Sequence, residues 1–153
     1  MEALDIDEFR KYAARFAHQV LPKQSEATVV TLSGDLGAGK TTFVQGVARA
    51  LGIQENVTSP TFVIEKIYNL SIHPPAGGFA RLIHIDAYRL ESEDELKVLG
   101  FSELLQDATN LILIEWPEKI PTLIPKSALK IRFDIADDGR IITTNGQGEK
   151  GKN

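Results

Sequence analysis

The residues with the clearest chemical potential form one short loop. Residues 34–41 have the sequence GDLGAGKT, which fits the pattern G-x-x-x-x-G-K-[ST]. Glycines let the backbone of such a loop wrap closely around a phosphate chain with its N–H groups turned inward, and the lysine adds a positive charge. The sequence therefore predicts a phosphate-binding P-loop.

The last residues of this loop have distinct expected roles. Lys40 is predicted to bridge the β- and γ-phosphates of a nucleoside triphosphate, the hydroxyl of Thr41 to hold Mg²⁺, and Thr42 to reach the α-phosphate. The helix predicted to begin near Lys40 directs the positive end of its dipole at the same place. An ordinary glycine-rich turn is the alternative, but it does not explain the complete pattern between a strand and a helix.

Two acidic residues end apolar runs that have the character of strands. Asp86 closes LIHID and Glu115 closes LILIE. A P-loop enzyme needs a carboxylate to position the magnesium ion and its water. Glu115 follows the strand predicted to be more buried and to neighbour the P-loop strand, so it is expected near the metal, with Asp86 orienting water or the outer coordination shell. The sequence is also compatible with the reverse assignment.

Three further positions have weaker signals. TSPTF, residues 58–62, forms a stiff turn with exposed hydroxyls that either senses a γ-phosphate or is a plain turn. Trp116, the only tryptophan, either stacks on a base or partner or packs on the sheet. His84 shares the face of Asp86 by strand alternation, and a structural role is favoured over a catalytic one.

The elements that must position these residues alternate along the chain. Apolar residues at helical spacing predict an opening helix over 6–20, stopped by Pro22, and a second helix over 40–51. Residues 93–105 predict one or two short helices interrupted near Gly100. The predicted strands cover 28–32, 61–68, 81–85 and 110–114, followed by a hairpin of 128–136 and 140–144.

Length and composition limit the possible functions. The 153 residues, 42% of them hydrophobic, predict one α/β domain over 1–144 and a polar, disordered tail over 145–153. There is no cysteine and no apolar run long enough to cross a bilayer, so a cytoplasmic protein without membrane contact is expected. The net charge of −4 argues against a broad nucleic-acid surface, so any contact with nucleic acid should pass through a partner.

Four motifs in this order, GDLGAGKTT, SPTF, HIDAYRL and EWPEK, resemble the TsaE (YjeE) family over roughly residues 5–136. The resemblance implies a P-loop NTPase-like, three-layer fold with a mixed central sheet and a C-terminal hairpin. It also implies an ATPase that joins TsaD and TsaB. In that pathway TsaD with TsaB transfers a threonylcarbamoyl group to the adenosine beside the anticodon of tRNAs that read codons beginning with A. The resemblance further implies that ATP hydrolysis resets this complex between turnovers.

The resemblance also assigns roles to individual residues. Thr41 and Glu115 would ligate Mg²⁺, Asp86 would lie near the γ-phosphate, and Thr61 would be the switch-like threonine. Trp116 would be the cofactor-binding tryptophan beside the metal-binding glutamate, and Tyr88 and Arg89 share the motif of Asp86. The implied ATP-binding segment consists of Asp35, Leu36, Gly37, Ala38, Gly39, Lys40, Thr41 and Thr42. Two features depart from the family: the long loop 69–80, and Lys119 where arginine is frequent.

Other functions fit the same sequence less well. A small-molecule kinase would use the same loop, but it needs an acceptor pocket and an arginine-bearing lid, for which the chain has little spare length. A GTPase would typically contain an Asn-Lys-x-Asp motif, which does not occur. A binding module in which ATP only holds an assembly together differs from the ATPase hypothesis solely in whether hydrolysis is required.

Overall fold

A computed structural model describes residues 3–58, 64–70 and 78–145 as alternating helices and strands. In chain order the elements are α1 (Ile6–Gln19), β1 (Thr28–Ser33), α2 (Lys40–Ala50), β2 (Glu65–Asn69), β3 (Arg81–Asp86), α3 (Asp94–Val98), α4 (Phe101–Leu105), β4 (Asn110–Glu115), β5 (Leu129–Ala136) and β6 (Gly139–Asn145). Two single-turn 3-10 helices, Pro117–Lys119 and Pro121–Leu123, follow β4.

The six strands form one mixed sheet in the order β2-β3-β4-β1-β5-β6. Neighbours among β3, β4, β1 and β5 are parallel, whereas the edge strands β2 and β6 pair antiparallel with β3 and β5. All six residues of β4 are buried, as expected for a parallel strand covered on both faces. The predicted mixed α/β sheet with a C-terminal hairpin is confirmed.

The helices cover both faces of the sheet and make the fold three-layered. Residues of α1 and α2 share one buried cluster with the sheet, and residues of α3 and α4 share the other. The ring of Phe133 on β5 lies 5.7 Å from that of Phe9 on α1 and 5.4 Å from that of Phe43 on α2. These aromatic contacts fix α1 and α2 over the strand that precedes the hairpin.

The helix boundaries follow local sequence signals. Asp5 caps α1 with a capping box, in which its side chain accepts from the N–H of Glu8 and the Glu8 side chain accepts from the N–H of Asp5. The predicted interruption near Gly100 is confirmed, because Gly100 separates α3 from α4 with a φ of 83°. That left-handed conformation suits a glycine.

The predicted start of one strand differs from the structure, and parts of two predicted segments lie outside the described residues. The predicted strand over 61–68 is shorter, since β2 begins at Glu65 and Ile64 lies outside it, although the Ile64 carbonyl still accepts from the N–H of Asp86. Residues 61–63 and 146–153 lie outside the described residues, and Asn145 ends β6.

The strand register brings three strand ends to one edge of the sheet. Glu115 at the end of β4 is the register partner of Leu32 on β1 and of Asp86 on β3. In open α/β sheets, ligands bind in the crevice beyond the carboxyl ends of parallel strands. The P-loop and both predicted carboxylates therefore share the edge at which a ligand site is expected. No helix within the described residues has the length and apolar character required to span a membrane.

Candidate functional site

The P-loop connects the end of β1 to the start of α2 in an unusual backbone conformation. Gly34, Gly37 and Gly39 have φ values of 139°, 81° and 115°, a region that residues with a Cβ rarely adopt. A Cβ at Gly34 would collide with the carbonyl oxygen of Phe133, and one at Gly39 would lie 2.8 Å from the Phe9 ring. Two of the three glycines are therefore required by close packing as well as by conformation.

Lys40 is the buried cation of the loop. Lys40 is only 4% exposed. Its ammonium group donates hydrogen bonds to the carbonyl oxygen of Gly34 and, at 3.0 Å, to that of Asp35. Burial lowers the pKa of Lys40, and the nearby carboxylates, Glu115 foremost, act in the opposite direction. An ammonium group that has lost much of its hydration interacts strongly with any anion that enters the loop.

Thr41 and Glu115 are brought together although 74 positions separate them in the sequence. The hydroxyl of Thr41 lies 3.1 Å from Oε2 and 3.3 Å from Oε1 of Glu115. The first turn of α2 presents the hydroxyl, and the end of β4 presents the carboxylate, which is almost completely buried. The arrangement places two oxygen ligands side by side next to the P-loop.

His84 is the second side chain in contact with Glu115. Its Nε2 lies 2.6 Å from Oε2 of Glu115, and the imidazole has no exposed surface. His84 pairs with Leu113 in the register of β3 and β4, so it lies diagonally behind Glu115 on the same sheet face. The structural role expected from the sequence therefore includes a direct contact with a predicted site carboxylate.

Asp86 lies beside Glu115 but in a more open position. It is half-buried, whereas Glu115 is buried. Its Oδ1 accepts from the backbone N–H of Tyr88 at 3.0 Å, which holds the carboxyl group at the mouth of the site. The two acids thus share the sheet edge in different environments, with Glu115 on the more buried strand, as the sequence indicated.

Trp116 follows Glu115 with a left-handed backbone, φ 59° and ψ 53°, the only non-glycine residue with positive φ in the described part of the chain. Its ring lies 4.1 Å from the Lys40 ammonium group and 4.9 Å from the ring of Tyr88. A strained backbone at such a position is typical of functional sites. At a distance of 4.1 Å, the Trp116 ring also contacts the P-loop lysine directly.

A cavity of about 180 Å³ opens on the other side of the loop. Thr42, Gly37 and Gly39 line it together with the start of α1 and the hairpin residues Gly139 and Arg140. The guanidinium of Arg140 donates to the carbonyl oxygen of Gly37 at 3.1 Å. The cavity extends the site from the Thr42 side of the P-loop toward the hairpin.

The structure therefore brings most of the predicted site residues to one edge of the sheet. Asp35, Leu36 and Gly37 are exposed on the loop, and Ala38 is buried beneath it. Arg89 is exposed next to Tyr88. Thr61 lies outside the described residues. Sequence reasoning missed the contacts of Arg140 and His84, because both depend on which strands and loops become neighbours.

The residues around Thr41 and Glu115 fit a magnesium ion. Mg²⁺ prefers oxygen ligands and usually binds one or two carboxylates together with substrate phosphates and water. The hydroxyl and carboxylate here supply that kind of ligand. Within the described part of the chain no group of three or more His, Cys, Asp or Glu side chains could hold a metal by itself. A cation at this place would therefore share its coordination with a bound phosphate chain.

Comparisons with known proteins identify the family to which the chain is similar. The model of the family described as threonylcarbamoyl adenosine biosynthesis protein TsaE matches residues 5–142. The tRNA threonylcarbamoyladenosine biosynthesis protein TsaE of Haemophilus influenzae is 37% identical over 150 residues, covering 96% of this chain and 90% of that protein. The protein of the same name from Bacillus subtilis is 43% identical over 123 residues, covering 80% of this chain and 72% of that protein. The crystal structure of YdiB from Bacillus subtilis superposes with a TM-score of 0.71 at 32% identity, covering 97% of this chain and 86% of that one.

Proposed function

The chain belongs to the TsaE family of threonylcarbamoyl adenosine biosynthesis proteins, and we propose that it acts there as an ATPase. In this proposal it binds and hydrolyses ATP with Mg²⁺ in the cytoplasm. It is an accessory subunit for threonylcarbamoylation of the adenosine next to the anticodon, in tRNAs that read codons beginning with A. Its partners are TsaD and TsaB. It reaches tRNA through them, which fits a net charge of −4.

The observation that carries the proposal is the contact between the Thr41 hydroxyl and the Glu115 carboxylate at 3.1 Å, beside the buried ammonium group of Lys40. A P-loop alone implies phosphate binding. A carboxylate next to the hydroxyl of the loop adds the ligand pair that nucleotide hydrolysis with a divalent cation requires. The combination therefore supports a triphosphatase over a simple anion-binding loop.

Binding of the triphosphate would depend on the loop backbone and on Lys40. The ammonium group now bonds to the carbonyl oxygens of Gly34 and Asp35, and phosphate oxygens would offer it a stronger, charged partner. The N-terminus of α2 contributes its unpaired N–H groups. Thr42, predicted at the α-phosphate, also lines the cavity next to Arg140, so the nucleoside would enter that cavity.

Magnesium would be held by Thr41 and Glu115. When bound, the ion neutralises charge that develops on the transferred phosphoryl group. Glu115 is buried and keeps its carboxylate next to the loop, which suits a ligand of fixed position. Asp86 lies at the more open mouth of the site and is proposed to orient the water that attacks the γ-phosphorus as ADP leaves. Thr61 remains the proposed sensor of the γ-phosphate.

The experiment that tests this function is reconstituted threonylcarbamoylation of tRNA with TsaD and TsaB. Product per TsaD–TsaB complex is measured with the intact chain, without it, and with Glu115→Gln, while ATP binding and hydrolysis are followed in parallel. Glu103→Gln, which makes the same chemical change on the exposed surface of α4, is the matched control. We expect the intact chain and the control to support more than one turnover and Glu115→Gln to support no more than one.

Other outcomes contradict specific parts of the proposal. Equal product with Glu115→Gln and the intact chain, although the variant hydrolyses no ATP, would mean that ATP only holds the assembly together. No effect of the intact chain on product would overturn the role in tRNA modification. Unchanged ATP binding in Lys40→Ala would overturn the assignment of the P-loop.

A further inference from the structure

His84 is a buried polar side chain whose contacts have a consequence for the metal site. The residue has no exposed surface. Its Nε2 lies 2.6 Å from Oε2 of Glu115, and its Nδ1 has no hydrogen-bond partner among the described residues. An imidazole with one unpaired nitrogen in a buried position costs stability that an apolar side chain would not cost. Packing alone therefore does not account for a histidine at this position.

The contact also defines the state of the ring. An ionised carboxylate can only accept hydrogen bonds, so Nε2 carries the hydrogen and donates it to Glu115. The Thr41 hydroxyl approaches the same carboxylate from α2. With donors on two sides, the carboxylate of Glu115 cannot rotate freely, and its plane is fixed relative to the P-loop.

We propose that His84 is a positioning residue, which holds the Glu115 carboxylate in the orientation needed to bind a divalent cation together with a nucleotide. This inference rests on the proposed function, because it takes Glu115 as the magnesium ligand. Donors behind a metal-ligating group fix its orientation, and removing one usually lowers metal affinity or activity by about 10–100-fold. His84 would therefore affect binding of the cation and leave binding of the phosphate chain itself unchanged.

The neighbouring strands supply the rigidity that this role requires. His84 lies in the middle of β3, which pairs with β2 on one side and β4 on the other, and Lys66 and Leu113 are its register partners. Glu115 ends β4, the fully buried strand. Both members of the pair thus belong to strands and not to loops, so their separation is set by the sheet.

The test compares binding of ADP in EDTA and in Mg²⁺ by calorimetry, which needs no turnover. The variants are His84→Leu, which removes the donor, His84→Gln, whose amide nitrogen reaches the position of Nε2, and Glu115→Gln. We expect every variant to bind ADP in EDTA like the unchanged protein. In Mg²⁺, His84→Leu should weaken the apparent affinity for the cation by about 10–100-fold, and His84→Gln should restore most of it.

The outcomes separate this inference from the proposed function. If Mg²⁺ no longer changes ADP binding in Glu115→Gln but changes it in His84→Leu as in the unchanged protein, only the role of His84 is overturned. Equal losses of apparent affinity for the cation in His84→Gln and His84→Leu also overturn the role of His84. If the unchanged protein shows no effect of Mg²⁺, or Glu115→Gln keeps it, the magnesium site and the role of His84 fall together. Should His84→Leu fail to fold, His84→Asn replaces it, because its shorter amide does not reach the Nε2 position.

Discussion

Replacement of Gly34 by alanine should be the most destabilising single change in the P-loop. The new Cβ would collide with the Phe133 carbonyl oxygen, which belongs to β5 and cannot move without disturbing the sheet. The φ of 139° adds a conformational cost of about 1–3 kcal/mol, and overpacking adds about 1–3 kcal/mol. The expected loss in the free energy of unfolding is therefore about 2–6 kcal/mol, or roughly 5–20 °C in Tm for a domain of this size.

Gly37→Ala is the matched control within the same loop. Gly37 also has a positive φ, 81°, but a Cβ added there would meet no atom within 4 Å beyond those of its chain neighbours. Only the left-handed backbone cost of about 1–2 kcal/mol applies. Because the two variants make the same chemical change in one loop, the difference between them reports the contact with Phe133 together with any higher conformational cost at the φ of 139°.

The assay is urea unfolding followed by circular dichroism, with both variants and the unchanged protein measured at one pH and salt concentration. Parallel slopes of free energy against urea would show that the same surface is exposed in each case. We expect Gly34→Ala to lose clearly more stability than Gly37→Ala. Equal losses would refute the reasoning, because the collision with β5 would then carry no cost.

Two further predictions concern side chains whose pKa is shifted by loss of hydration. Burial lowers the pKa of Lys40 below 10.5, so the folded state carries that charge at a cost at neutral pH, and the cost declines as the pH rises through the lowered pKa toward 10.5. Relative to Lys40→Met, the unchanged protein should gain unfolding free energy over that range in urea titrations, and a loss would contradict this. Burial raises the pKa of Glu65 above 4.5, so stability is lost as the pH rises from 4.5 through the raised pKa. Glu65→Gln should therefore gain stability relative to the unchanged protein as the pH rises above 4.5 in thermal unfolding, and a difference that stays constant with pH would contradict the cause.

The sequence predicted those parts of the site that depend on local order. The P-loop pattern lies within eight consecutive residues, and the two acids end apolar runs that become parallel strands. Since parallel strands end at the same edge of a sheet, Asp86 and Glu115 were expected near the loop, and the register brings them opposite each other. What the sequence left open was which of the two acids holds the metal and which orients water, whereas the more buried strand before Glu115 was expected and is the neighbour of β1.

Contacts between distant segments were not predictable in this way. His84 and Glu115 are 31 positions apart, and their contact requires that β3 and β4 be neighbours with a particular register. Arg140 and Gly37 are 103 positions apart, and their hydrogen bond requires the hairpin to lie on the β1 side of the sheet. Single-sequence patterns specify elements and their faces, whereas the order of strands is decided by packing of the whole chain.

The same contacts explain why a local motif needs the complete fold. The backbone of Leu4 exchanges hydrogen bonds of 2.7 and 3.0 Å with Arg140, whose side chain in turn bonds to the carbonyl of Gly37. Phe9 packs against Gly39 from α1. The beginning of the chain and the C-terminal hairpin thus contact the P-loop from the side opposite β4 and Glu115. Because the loop glycines have few conformational restrictions of their own, the shape that would receive a phosphate chain depends on these contacts as much as on the glycines themselves.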